Sequence, residues 1–477
     1  MLDKVIPRIF LISVFIFAIT VAIICGNLWD NDIYFLIASG RDILTNGFST
    51  TDPLTMHNDL NYITQQWLAC VIDASIYDAV GKPGILITYG LLWALAAFLL
   101  FKVVYKFSDA RYTLSCCIMA LFLLIFIPFI KCNPRIFDVI VLIITIYACY
   151  KVHETKNNKY LLIPIIAQVF LVNLHSTMWP VTLFAPLVFI FAEGNTPKQR
   201  LIYLLCALLC VVSALINPYG LTAITYIFIS LTSASLSQIG ITELSNLSFD
   251  NGYIFIAAIV IPIFYAVVRT KFTRHCLPLE ILSAVTLMMT FSSARNFVLF
   301  LPIMTLCLVF PVSQIKFKPL NQRLLNISKG FCAGLFIFIL ILCCSTITTI
   351  GDENITDEDL SRHNAVETLK ENGLKPGDSV FNGFNDGGYL EMQGFKPYID
   401  ERAELFTIEI NGKKDYAREW IAIRNCESPL SEVLNLYHFD AILVSKAQSM
   451  YDTESQIVHS GFVIVYKDDF YIGAIKA

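Results

Sequence analysis

The sequence predicts a polytopic α-helical membrane protein of about 11 transmembrane helices, followed by a C-terminal extracytoplasmic α/β domain. Hydrophobic residues make up 56% of the 477 and charged residues only 15%, a balance found in chains that bury their surface in lipid rather than in soluble globules. Polarity returns abruptly after Ile350 and persists to the end, which divides a membrane portion at 1–350 from an aqueous domain at 351–477. The tail from 352 onward holds 12 Lys and Arg against 23 Asp and Glu, and the remainder 22 against 15. An acidic tail of this kind argues against a nucleic-acid partner.

Apolar runs long enough to approach a hydrocarbon core of ~30 Å fall near 5–25, 85–101, 112–130, 136–150, 161–173, 179–192, 201–216, 253–268, 277–293, 297–312 and 330–350. The connecting segments alternate between basic and non-basic. Seventeen Lys and Arg lie in one set, among them Lys106, Lys151, Arg269 and Arg274; outside the tail the other set has only Arg41, Lys82, Lys131, Arg135 and Arg295. By the positive-inside rule the N-terminus is cytoplasmic, and the first long loop (26–84), the 217–252 loop and the tail face outward across the plasma membrane. In 161–192, Pro164, Pro180 and Pro186 with the short turn at 173–178 leave a re-entrant hairpin as the alternative to two spans. Ile23-Ile24-Cys25 lacks the small residues of a cleavage site, so the first run reads as a retained span. Most of the 14 cysteines lie in spans, the tail has Cys426 alone, and no disulfide or zinc spacing is present.

The first outward loop holds more than a connector needs. Asp30 and Asp32 follow the first apolar run, and Ile33, Leu36 and Ile37 recur at helical spacing, so either aspartate is expected to cap an amphipathic helix on the membrane surface. A second such helix is expected at 64–80, with Trp67, Leu68, Val71 and Ile72 on its apolar face and Asp73 and Asp78 opposite. Between them lies a turn-rich stretch containing Asp52-Pro53.

These elements carry a resemblance. Asp30-Asn31-Asp32, Tyr34-Phe35, Gly40, Asp52-Pro53 and Gln66-Trp67-Leu68 resemble the first external loop of the GT-C class of membrane glycosyltransferases, in particular an uncharacterised group of bacterial GT-C-like proteins. Further matches are Asn173-Leu174-His175, Asn217-Pro218-Tyr219-Gly220, Ala294-Arg295-Asn296, Gly387-Gly388-Tyr389-Leu390 and Asp400-Glu401-Arg402. The chain departs from that pattern at Leu36, where a histidine is common, and at Asn133-Pro134-Arg135, in place of Arg-Pro-Gln.

The resemblance implies a transferase whose donor is a sugar linked through phosphate to a polyprenyl lipid, and whose acceptor is a glycan, glycolipid or protein. A leaving phosphate departs ionised, so one carboxylate acting as base on the acceptor hydroxyl suffices, unlike the two carboxyls of most glycoside hydrolases. Asp32 or Asp30 is the expected base of an inverting transfer. The other then orients it or holds a divalent cation, magnesium or manganese, through oxygen ligands. Arg295 and Arg135 are expected to clasp the donor phosphate, with His175, Asp52, Tyr34, Gln66 and Trp67 on the same substrate. Bland alternatives stand beside these: caps for the aspartates, a turn for Asp52, headgroup snorkelling for the arginines or a local Arg135–Asp138 pair, a helix-end cap for His175, and a plain interfacial Lys131.

In the tail, periodicity predicts helices at 357–372, 415–423, 429–437 and 447–458, with strands at 379–381, 396–400, 441–444, 462–466 and 471–475, a small α/β sandwich. Turns are expected at Gly383 and Gly387-Gly388. Tyr389, Asp400 and Arg402 either shape the acceptor side or build a tight turn and a salt bridge. Two other function classes remain: a transporter or flippase of a lipid-linked saccharide, although no internal repeat is evident, and a non-catalytic scaffold for envelope assembly.

Overall fold

The computed structural model describes residues 29–230, 247–248, 251–315, 357–446 and 453–477. The expected spans at 5–25 and 330–350 and the start of the expected 447–458 helix lie outside the described residues. The chain forms two compact units: one holds Met1–Trp29, Leu86–Gly220 and Thr242–Gly351, the other Asp30–Ile85, Leu221–Ile241 and Asp352–Ala477.

Helices stand at the nine other predicted apolar segments. Among the described residues, five are long and apolar enough to cross a membrane: Lys82–Phe107, Tyr112–Phe129, Arg135–Thr155, Tyr253–Lys271 and Ala294–Val312. Helices are the expected form because a backbone in lipid must satisfy its own polar groups. In the first unit, the Ala294–Val312 window is 78% buried and that of Tyr253–Lys271 only 6%; the former is central, and the latter offers Ile256, Ile263, Phe264 and Val267 to lipid. The 161–192 stretch forms helices Leu162–Leu174 and Val181–Phe189 joined by a 3₁₀ turn at Ser176–Met178. Thirteen and nine residues rise about 20 and 14 Å, and with the adjoining 3₁₀ turns the apolar helical stretches run Asn158–Leu174 and Ser176–Phe189.

Several charged side chains of this unit pair with one another. Lys106 and Lys151 share Glu154, Arg269 pairs with Glu280, and Arg274 pairs with Asp109 while bonding Ser313. Lys131, Arg135 and Arg295 gather elsewhere, around a cavity.

The second unit joins the first loop to the tail. Helices Asp32–Asn46 and Trp67–Val80 pack closely. A Cβ on Gly40 would lie 2.0 Å from the Cys70 carbonyl oxygen, so only glycine fits that crossing. This packing uses a face of the second helix that the apolar periodicity does not mark. Ala69, Cys70, Asp73 and Ala74 are buried, Asp73 with them, while Trp67, Leu68, Val71 and Ile72 are partly or fully exposed. Small side chains serve the protein contact and leave the large apolar ones outward. The expected cap also differs: Asn31 is the N-cap, with helical φ −61° and no side-chain bond. The Asp30 carbonyl accepts the Ile33 N–H, and Asp32 opens the first turn, where the helix dipole favours its charge.

In the tail, β1 (Ser379–Asn382), β2 (Lys396–Pro397), β3 (Ala441–Ser445), β4 (Phe462–Lys467) and β5 (Tyr471–Lys476) form one mixed sheet in the order β2-β1-β3-β5-β4. β1 runs parallel to β2 and β3, and β5 antiparallel to β3 and β4. β3 is buried at all five positions, as a central strand must be. The expected strand at 396–400 is seen only at Lys396–Pro397; just beyond it the Tyr398 N–H is shared between the Val380 carbonyl at 3.0 Å and Asn382 Oδ1 at 2.9 Å. Helix Asp357–Glu371 packs on β4 and β5 and stops near Gly373, whose φ is +110°. Gly387-Gly388, expected as a turn, instead opens helix Gly387–Met392. Its glycines serve close approach: a Cβ on Gly387 would lie 2.2 Å from the Ile399 oxygen, and one on Gly388 2.8 Å from the Phe35 nitrogen. Tyr34 of the first loop packs against the tail's apolar core around Leu369, Leu390 and Leu443.

Candidate functional site

In the first unit, the Asn133 side chain accepts the Arg135 N–H at 3.1 Å and starts the Arg135–Thr155 helix behind Pro134. One turn on, Asp138 is 1% exposed. Its two oxygens each lie 2.9 Å from His175 Nδ1, which donates to them. His175 reaches this point because it leaves the Leu162–Leu174 helix with φ −157° and ψ 77°. Asn173 fastens that helix end, donating to the Val169 and Ile216 carbonyls. Arg295 lies in the 3₁₀ turn Ala294–Asn296, and both Arg135 and Arg295 act on the Asp138 charge. Asp138 therefore bonds His175 and attracts two arginines, more than the local Arg135 pair that spacing suggests.

Lys131, Arg135 and Arg295 line a cavity of about 170 Å³ together with Trp93, Phe129 and Tyr253. Trp93 donates to the Lys131 carbonyl at 2.9 Å and so fixes the local backbone. Lys131, expected to be merely interfacial, belongs to the lining. Three cations beside aromatic faces suit an anionic group attached to an apolar body.

In the second unit, Asp30 and Asp32 are half-buried at the start of their helix. Nearby, Glu401 Oε2 accepts the Gly388 N–H at 2.8 Å, and its Oε1 is buried with no partner among the described residues. Burial, then the charge of Asp400, and further on that of Asp32, push the Glu401 carboxyl well up. Glu401 and Asp32 therefore act on each other's charge. Sequence reasoning quoted Glu401 in a motif and gave it no role; a carboxylate between two charged neighbours carries no signal of burial.

Asp52, Asp400 and Arg402 meet in one buried cluster. Arg402 Nη1 donates to Asp52 at 2.6 Å, Nη2 to Asp400 at 2.6 Å and also to Glu391, and the guanidinium lies 5.2 Å from the Tyr62 ring centroid. Thr55 donates to Asp52 through both its N–H and its hydroxyl. Burial works against the Asp52 charge, but Arg402 and Thr55 outweigh it and hold that carboxyl below its ordinary value. Burial raises Glu391 strongly, and Asp400 and Asp52 add to the rise against the pull of Arg402. The arrangement is a latch between loop and tail. It follows the salt-bridge alternative for Asp400 and Arg402, which are 0% and 3% exposed and so closed to an acceptor, and it seals Asp52 away from a donor.

Tyr34 and Tyr389, expected on donor and acceptor sides, lie together edge to face at 5.3 Å. Arg362 sits 5.3 and 4.8 Å from their centroids. Asp386, hydrogen-bonded by Tyr471 at 2.7 Å, is pushed up to about 6 by burial despite Arg362. Gln66 caps its helix, and Trp67 meets Phe48 edge to face at 5.1 Å. His57, which sequence reasoning passed over, donates from Nε2 to the Tyr398 carbonyl at 2.8 Å and stacks 3.9 Å from Tyr416. Burial lowers its pKa, so it is a neutral second fastener between loop and tail. Among the described residues no three His, Cys, Asp or Glu side chains gather as a metal set.

No protein-family profile matches the chain, and no curated protein matches it in sequence. Among solved structures it is similar to the apo crystal structure of the Archaeoglobus fulgidus oligosaccharyltransferase, at 13% identity and a TM-score of 0.47, over 94% of this chain and 71% of that one. A likeness of this strength assigns no function.

Proposed function

We propose that the protein is a GT-C-type membrane glycosyltransferase that moves a sugar from a polyprenyl-phosphate carrier to an extracytoplasmic glycan, glycolipid or protein. The observation that carries this reading is the cavity lined by Lys131, Arg135 and Arg295 beside Trp93, Phe129 and Tyr253, cationic where a lipid phosphate would lie and aromatic where its chain would begin. The loop motifs around Asp30 and Asp32 support it. So does the latch, because segments that touch share one side of the membrane, as the outward assignment of both loop and tail requires.

In the reaction the acceptor oxygen attacks the anomeric carbon from the face opposite the phosphate. The carbon–oxygen bond to phosphate breaks, and its electron pair leaves on the phosphate oxygen, whose charge the arginines and Lys131 balance. The loop motif, read apart from the cavity, nominates Asp32 or Asp30 as the group that takes the acceptor proton. The test uses cells carrying Asp30→Asn, Asp32→Asn or both, with folding checked separately. Loss of the surface sugar and accumulation of its lipid carrier are expected. Normal transfer by the double variant would defeat the catalytic reading and leave transport or scaffolding.

A further inference from the structure

The cavity's cations leave open what the Asp138–His175 pair does beside them. An aspartate buried to 1% at membrane depth is costly, and this one uses both oxygens on a single imidazole nitrogen. That geometry decides the tautomer. Nδ1 carries the proton, so the neutral ring has its lone pair on Nε2. Such a nitrogen accepts hydrogen bonds and donates none. An ionised phosphodiester also only accepts, so the neutral ring is unsuited to the phosphate and suited to a hydroxyl. The adjoining Ser176 hydroxyl, 1% exposed, has no partner among the described residues, and a buried hydroxyl left unpaired is unfavourable. Both groups thus call for a polar ligand rich in hydroxyls.

Resting on the reading above, we propose that Asp138 is a positioning residue that fixes the Nδ1–H tautomer of His175, so that Nε2 accepts a hydrogen bond from a hydroxyl of the sugar whose phosphate Arg135 and Arg295 hold. The pair thereby selects a glycosylated lipid phosphate over the bare carrier that remains after transfer.

The test measures binding of two probes, farnesyl phosphate and glucosyl-phosphoryl-farnesol, to the full chain in nanodiscs, with ¹⁵N-histidine spectra of the same samples. Wild type is expected to show His175 with a protonated Nδ1 and to prefer the glucosylated probe by about fivefold, the worth of one neutral hydrogen bond. Asp138→Asn, which puts an amide donor beside an acceptor where the carboxylate only accepts, is expected to shift proton occupancy to Nε2 and abolish that preference. His175→Phe should abolish it too, while both variants keep their affinity for farnesyl phosphate. Arg135→Ala and Arg295→Ala should weaken both probes together. A wild-type Nε2–H tautomer, or an unaltered preference in both variants while the arginine variants lose binding, overturns the role of Asp138 alone. Failure of wild type to bind either probe, or indifference to the arginine variants, overturns the phosphate reading and this inference with it.

Discussion

Arg135 and Arg402 are the same residue type in similarly unremarkable motifs, and the two units use them in opposite ways. In the second unit Arg402 faces three carboxyls, of Asp52, Asp400 and Glu391, and is 3% exposed. In the first, Arg135 and Arg295 share the attraction of one aspartate that is itself bonded to a histidine, and both line a cavity. The lesson is one of counter-charge. A guanidinium surrounded by several carboxyls and cut off from solvent is a structural tie, and cations that line open space can meet an anionic ligand.

Removing the tie should have the largest effect. Arg402→Met leaves buried carboxylates uncompensated, and the second unit is expected to lose about 3–5 kcal/mol, seen as a lower melting temperature and proteolysis of the tail. Arg402→Lys should recover only part, because an ammonium cannot fork to Asp52 and Asp400. If Arg402→Met melts like wild type, the latch carries no weight. Arg135→Ala or Arg295→Ala should instead leave melting nearly unchanged and weaken farnesyl phosphate binding by about 1.5–3 kcal/mol each; a large fall in melting would make these arginines ties as well.

Gly40→Ala tests packing without charge. Its Cβ meets backbone, so the paired loop helices must separate, at about 1–3 kcal/mol, with the loss read in the second unit's melting. The smallest effect concerns Asp386. Its folded pKa of about 6 exceeds the unfolded value, so its contribution to stability is complete below about pH 4 and fades as pH rises through 6. Asp386→Asn should remove that part of the pH profile, and the difference between the two melting curves isolates it from His57, whose lowered pKa works with the opposite sign. A variant curve parallel to wild type would refute it.

The membrane helices were legible because lipid burial imposes one rule on every residue, and runs such as 253–268 and 297–312 satisfy it visibly. Strands β1, β3, β4 and β5 were legible from β-branched alternation. The union of the first loop with the tail was not, since the partners of Asp52 and His57 lie some 340 residues away and neither residue differs locally from a turn aspartate or a surface histidine. The contact face of Trp67–Val80 was illegible for a related reason: periodicity finds the apolar face, whereas the close helix contact uses the small residues. Arg135, Arg295 and His175 were found by their rarity among apolar residues, and Asp138 was underrated because its partner sits on another helix.

The latch also sets an order of events during synthesis. The loop carrying Asp52 and His57 is made some 340 residues before Arg402 and Tyr398, so a ribosome working at about 5–20 residues per second leaves the loop half-built for tens of seconds. Chains cut short before Arg402 would expose Tyr34, Tyr62 and a stranded acid to proteolysis. Synthesis of the partner segment thus doubles as a checkpoint that truncated copies fail.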